Sequence, residues 1–132
     1  MEFRSGGQRG VDLWAADAGL TLGAQVSLIL PVTVERFTSG WAESDRDHLY
    51  EVCSRAASVQ ILDQEGLSPA LAFDLRNERL IARADLLVAV WTGLRRGGTF
   101  YTLCAARVGG VVAKETVLTP AADAKQQGGR GL

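Results

Sequence analysis

Two short segments hold the residues best suited to grip an anion: Ser5-Gly6-Gly7-Gln8-Arg9-Gly10, and Thr92-Gly93-Leu94-Arg95-Arg96-Gly97-Gly98-Thr99. Phosphate binding needs several backbone N–H groups aimed at one point. Glycine permits the positive φ this requires and lets a ligand approach the main chain. A helix opening behind the loop adds unpaired donors and the positive end of its dipole. Ser5–Gly10 stands directly before one helical pattern and Gly97-Gly98-Thr99 before another, with Thr99 able to cap that helix or offer a hydroxyl. Arg9 adds a planar charged fork suited to phosphate; Arg95 and Arg96 are further candidates, set against the ordinary case of solvated loop charges. Asp12 falls in the first turn of the first helix. There it can accept a ribose hydroxyl, hold the loop, or simply complement the helix dipole at the surface. The first loop has neither the dinucleotide G-x-G-x-x-G spacing nor the lysine-serine pair of a nucleotide-triphosphate P-loop, so by itself it also reads as a tight turn.

The elements that must position these loops alternate along the chain. Gln25–Leu30 (QVSLIL), Ser58–Leu62 (SVQIL), Asp85–Trp91 (DLLVAVW) and Val111–Leu118 (VVAKETVL) are strand candidates. Asp85–Trp91 is the most apolar, as a central strand covered on both faces should be; Lys114 and Glu115 suit an edge strand. Helical spacing puts Val11, Trp14, Ala15, Ala18 and Leu22 on one face of a first helix, with Gly23 as its stop. Asp45–Ala57 is a second helix, with Leu49, Val52, Cys53 and Ala56 inward. Pro69–Ala84 is a third, with Leu71, Leu75 and Ile81 inward and Phe73 and Leu80 as further inward candidates. Thr99–Val108 is a fourth, using Phe100, Leu103 and Cys104. The alternation predicts an α/β fold: a Rossmann-like, doubly wound, mainly parallel sheet of four or five strands with helices on both faces. Pro31–Ser44 is a long connection carrying Phe37 and Trp41; such loops are often functional, and this one also reads as a surface loop pinned by two aromatics. The small, polar, glycine-rich stretch 121–132 is expected to be a disordered tail.

Composition narrows the function classes. The chain has 132 residues, with 14 basic against 15 acidic side chains, so no broad electrostatic pull toward nucleic acid or an anionic membrane is expected. The apolar runs are too short to span a bilayer and no secretory leader pattern is visible. Cys53 and Cys104 read as small core residues of a reducing compartment. The single histidine and two cysteines lack metal-ligand spacing. A cytoplasmic protein with no metal and no resident cofactor is expected.

Three motifs in order, SGGQRGVDLWAA, LRNERLIARADLLVAVW and GGTFYTLCAARVGG, resemble the SLOG superfamily of Rossmann-like nucleotide-binding domains. The likeness spans about Ser5 to Pro120 and is strongest to the small bacterial and phage branches. Those branches carry GGARGAD, RN, D-L-L-x-A-x-W and GGT. The superfamily also holds the cytokinin-activating phosphoribohydrolases and the DNA-processing protein A family. The resemblance implies a first phosphate-facing loop of Gly6, Gly7 and Gly10 and an acidic residue at Asp12. It further implies an arginine-asparagine pair, Arg76 and Asn77, facing the pocket, and a second loop of Gly97, Gly98 and Thr99. An arginine and an amide side by side also suit phosphate and base or sugar on chemical grounds, although they equally fit a solvated helix face. Two departures stand out. The phosphoribohydrolase glutamate falls at Thr102, which cannot act as a carboxylate. The family's chains also open with a strand and helix before the first glycine loop, the strand often ending in T-G-x-R. Here Met1–Arg4 alone precede Ser5, so that unit is expected to be short or missing.

The leading expectation is a binder or sensor of a nucleotide or nucleotide-derived ligand, with no catalytic residue assigned. The binding set is Ser5, Gly6, Gly7, Arg9, Gly10, Asp12, Arg76, Asn77, Gly97, Gly98 and Thr99. An enzyme cleaving an N-glycosidic bond is the alternative, with Asp12 or Asp85 supplying the carboxylate. A single-stranded DNA-binding module is a third, disfavoured by the balanced charge and the lack of a basic-aromatic stripe. A homodimer formed through helix faces is a further expectation from the resemblance.

Overall fold

The computed structural model describes residues 1–62 and 67–118; the tail expected over 121–132 lies outside them. The chain divides into two compact units, Met1–Ala82 and Arg83–Leu132. The first runs β1 (Glu2–Ser5), α1 (Val11–Thr21), β2 (Gln25–Leu30), α2 (Val34–Phe37), α3 (Glu43–Arg55), β3 (Ser58–Ile61) and α4 (Pro69–Ile81). Its three strands are parallel in the order β1-β2-β3, with Ser5 opposite Leu28 and Leu30 opposite Ile61. The second runs β4 (Leu86–Trp91), α5 (Gly98–Val108) and β5 (Val112–Val117), and its two strands are also parallel. The fold is therefore α/β with parallel strands, broadly Rossmann-like, its strands hydrogen-bonded as one three-stranded and one two-stranded sheet.

β2 carries strand partners on both sides. Val26, Leu28 and Leu30 on one face are fully buried, and Ile29 on the other nearly so, the pattern of a strand covered on both faces. Sequence places Asp85–Trp91 in that central role. Instead β4 has, among the described residues, the single partner β5, and Leu86 and Val88 stand exposed. Apolar content reports which residues avoid water; it does not report which strand is the hydrogen-bonding neighbour. β1 has no counterpart in the sequence reading. Four residues carry too little periodicity to register, and the strand forms because β2 offers it a ladder from Glu2–Gln25 to Ser5–Leu28.

α1 reverses the expected face. Leu13, Ala16 and Gly19 are buried, whereas Trp14 is 65% exposed and Val11 and Leu22 also face solvent. The helix is apolar on two sides, and the sheet takes the side with the smaller residues. A Cβ on Gly19 would stand 3.1 Å from Val26 and 3.5 Å from the Phe3 ring, so close approach of helix to strand selects this face. In α4 the inward residues are Ala72, Arg76 and Ile81, while Leu71 and Leu75 are exposed. In α5 they are Thr102, Leu103 and Ala106. In α3, Leu49 and Val52 are buried as expected, with Cys53 and Ala56 packed against the core. Both cysteines are free thiols and half-buried.

Helix starts follow local chemistry where side chains cap them. The Thr33 hydroxyl accepts from Arg36 N at 3.4 Å at the start of α2, and the Ser68 hydroxyl from Leu71 N at 3.3 Å at α4, where Pro69 opens the first turn. His48 Nε2 meets Asp17 Oδ2 at 2.7 Å, tying α3 to α1. At the other end of α4, Arg4 of β1 donates to the carbonyls of Arg79, Leu80 and Ala82. A cation there satisfies carbonyls the helix leaves unpaired. No described helix is long and apolar enough to cross a membrane.

The α1 orientation makes a direct prediction. Leu13→Ala should cost about 3 kcal/mol through the cavity it leaves, and Trp14→Ala no more than about 0.5 kcal/mol. Urea denaturation of both variants reads the contrast; equal losses would contradict the observed face.

Candidate functional site

The first glycine loop leaves the carboxyl end of β1 and enters α1. Its inner part is held by its own side chains. The Ser5 hydroxyl is buried, donates to Asp12 O at 3.0 Å and accepts from Gly7 N at 3.2 Å. Asp12 Oδ2 accepts from Gln8 N at 3.2 Å, and Gln8 Oε1 accepts from Arg9 N at 3.2 Å. Gly7 has φ +73, and a Cβ there would stand 2.6 Å from Leu30 Cδ2, so no L side chain fits. At the outer end Gly10 is the N-cap of α1, and no side chain caps that helix. Ser5 and Asp12 thus act on the loop itself, the loop-holding role being one of those Asp12's position allowed.

Arg76 is brought to this loop from α4. Its guanidinium donates through Nη1 to Gly6 O at 2.6 Å and through Nε to Asn77 Oδ1 at 3.0 Å. A Cβ on Gly6 would stand 2.6 Å from Arg76 Nη1, so a side chain at this position would have to displace the guanidinium. Phe73 and Phe37 flank the guanidinium, their ring centres 5.5 and 5.9 Å from its carbon. Arg76 is only 7% exposed. Burial lowers its pKa, opposed by the charge of Asp12. Burial likewise raises the Asp12 pKa, opposed by the Gln8 amide and by Arg76. Both groups are desolvated and each partly compensates the other. Arg76 and Asn77 therefore brace the loop, and Asn77 spends its carbonyl oxygen on its neighbour.

Arg9 reaches outward. Its guanidinium carbon lies 5.4 Å from the centre of the Trp41 ring, and Trp41 packs on buried Phe37 at 5.3 Å. Phe37 in turn meets Phe73 at 6.1 Å. These three aromatics escaped the site set drawn from sequence. The signal available was the pair Phe37 and Trp41 in the long Pro31–Ser44 connection. That connection leaves the carboxyl end of β2, and in a parallel sheet with Ser5 opposite Leu28 it emerges at the same rim as the glycine loop.

The second loop follows β4. Gly97, with φ +90, is the N-cap of α5, Gly98 and Thr99 form its first turn, and again no side chain caps the helix. Thr99 is exposed, so the cap position belongs to Gly97. Thr102 donates its hydroxyl to Gly98 O at 2.8 Å and is buried. An open cleft of about 510 Å³ adjoins this loop, lined by Trp91, Gly93, Arg95, Phe100, Arg107 and Val117. Trp91 and Phe100 stack at 6.1 Å. Glu115 accepts from Trp91 Nε1 at 3.1 Å and pairs with Arg107, while Arg95 has no ion-pair partner among the described residues. Among those residues no group of three His, Cys, Asp or Glu side chains could hold a metal ion.

Fold and loops together define the class: a parallel α/β chain of broadly Rossmann-like build, with glycine-started helices behind the carboxyl ends of β1 and β4. No family model matches it. Its distant homologues are UPF0398 proteins of bacilli. It is similar to the UPF0398 protein of Bacillus thuringiensis (strain Al Hakam), 27% identical over 109 residues, covering 80% of this chain and 59% of that protein. The UPF0398 protein of Bacillus cereus (strain Q1) matches at the same identity and coverage. The chain thus spans about three-fifths of the length of these curated relatives.

The charge interaction between Asp12 and Arg76 yields two predictions. Arg76→Met leaves the Asp12 carboxylate buried without its cation and the Gly6 carbonyl without its donor, and should cost about 3 kcal/mol in chemical denaturation. The folded chain also holds the Asp12 proton more tightly than the unfolded chain, whose value is the ordinary 3.8. This contribution is full below that value and is lost as pH rises through the raised one. Asp12→Asn keeps an acceptor for Gln8 N without titrating. Melting temperatures between about pH 4 and about pH 7 should therefore fall more, or rise less, in the parent chain than in this variant.

Proposed function

We propose that the chain binds a nucleotide or nucleotide-derived ligand by its phosphate, acting as a binder or sensor, and that it is a divergent SLOG-type domain. The observation that carries this reading is how its helices begin. α2 and α4, which also follow parallel strands, open on capping side chains, Thr33 and Ser68, while α3, which follows α2 and not a strand, opens on Ala42 without one. α1 and α5 open on Gly10 and Gly97, with no side-chain cap. Each of these two follows a parallel strand's carboxyl end, where open α/β sheets take ligands. A capping hydroxyl or carboxylate would occupy the first-turn N–H groups; glycine leaves them for an anion. Arg9 beside one loop and Arg95 beside the other supply mobile positive charge.

The hydrolase alternative gains nothing. The Asp12 carboxylate is engaged by Gln8 N, and the Thr102 hydroxyl is spent on a helix carbonyl. Neither arrangement favours a general base, and the other carboxylate of that alternative, Asp85, is exposed just before β4.

Calorimetry with adenosine monophosphate and with inorganic phosphate tests the proposal; absence of binding at millimolar ligand overturns it. Val11→Asp supplies a sharper check. A carboxylate at this first, exposed position of α1 complements the dipole, so stability should hold or rise slightly. The same charge repels a bound phosphate and should weaken binding about five-fold, the equivalent of about 1 kcal/mol.

A further inference from the structure

We infer that Trp41 is the platform on which the base of a nucleotide stacks when its phosphate is held at the first glycine loop, and that Arg9 covers the same ring until the base takes its place. The inference rests on the phosphate-binding reading above and adds to it a class of ligand: a nucleoside phosphate, with a purine favoured for its larger ring.

Trp41 is anchored in a way a platform needs. Its backbone N–H donates to Thr38 O at 2.9 Å, and its ring packs at 5.3 Å on Phe37, which is buried in the core. Thr38 is itself buried, with its hydroxyl donating to Val34 O at 2.9 Å. The indole is thus fixed by α2 and the residues just after it, so little rotamer freedom remains to be lost on stacking. Arg9 is held differently. It is exposed, lies on the outer part of the loop, and has no carboxylate within ion-pair distance among the described residues. Its guanidinium carbon lies over the Trp41 ring, 5.4 Å from the ring centre. An exposed cation–π contact is weak, and a base stacked on an aromatic ring is worth more. Exchange of one planar group for another on that ring costs little and frees a guanidinium next to the phosphate-facing amides.

Topology brings the parts together. The loop follows β1 and the Trp41 segment follows β2, adjacent parallel strands whose carboxyl ends share one rim. The ring centre lies 5.4 Å from the guanidinium carbon of Arg9, a loop residue, so loop and ring are bridged by one arginine side chain and its stacking distance, a reach of the order of that from phosphate to base in a nucleoside monophosphate.

The test compares adenosine monophosphate with ribose 5-phosphate by calorimetry on the full chain, its Trp41→Leu variant and its Trp41→Phe variant. Leucine keeps apolar packing on Phe37 without a stacking face; phenylalanine keeps a face. The parent chain should bind adenosine monophosphate about ten-fold more tightly than ribose 5-phosphate. Trp41→Leu should bring the two to equal affinity by weakening the nucleotide alone, and Trp41→Phe should retain most of the preference. Equal affinities in the parent chain, or a Trp41→Leu variant that loses both ligands alike, overturn the platform and leave phosphate binding standing. Failure of both ligands to bind the parent chain overturns the phosphate reading and the platform with it.

Discussion

A buried guanidinium is hard to satisfy, and Arg76 organises its unit by being so. Its charge is removed from water, so its donors must find acceptors and its faces must find something polarisable. It takes the Gly6 carbonyl, the Asn77 amide oxygen, the field of Asp12 and the rings of Phe37 and Phe73. Each demand constrains a different segment. Position 6 must lack a side chain. Asp12 must sit in the first turn of α1. The connection after β2 must turn inward to deliver Phe37. Arg4, on β1, holds the far end of α4 by its carbonyls, so the helix that carries Arg76 is tied to the strand that leads into the loop.

The loop's glycines consequently divide between two tasks. Gly6 and Gly7 are required by their neighbours, Arg76 and Leu30, which occupy the space a Cβ would need. They belong to the architecture. Gly10 belongs to the helix start, where its φ of +88 calls for glycine although nothing within 4 Å would meet a Cβ, and where the absence of a cap leaves first-turn N–H groups unclaimed by any side chain. The loop thus combines a support built from Ser5, Asp12 and Arg76 with an uncapped helix start at α1.

The motifs that resemble the SLOG pattern are accordingly informative in an uneven way. Serine, glycines, aspartate and the arginine-asparagine pair converge on one loop across seventy residues of sequence separating Arg76 from Gly6. That convergence is a physical reason for the types to occur together, whatever the ligand. Thr102, where the resemblance aligns the glutamate of the hydrolytic branch, turns its hydroxyl back onto its own helix.

Sequence alone determined the alternation of strands and helices, the α/β class, the bounds of β2 and the loops that precede α1 and α5. These are local matters: period, caps, glycine at turns. It could not choose between the two apolar sides of α1. That choice lay with Gly19, whose missing side chain lets the helix close on Val26 and Phe3. Nor could it turn Arg76 from a solvated or ligand-facing residue into a buried brace, or recruit Phe37, Phe73 and Trp41 around the arginines. Those contacts join residues far apart in the chain, and their energies exist only once burial has removed the water that would otherwise satisfy each group separately.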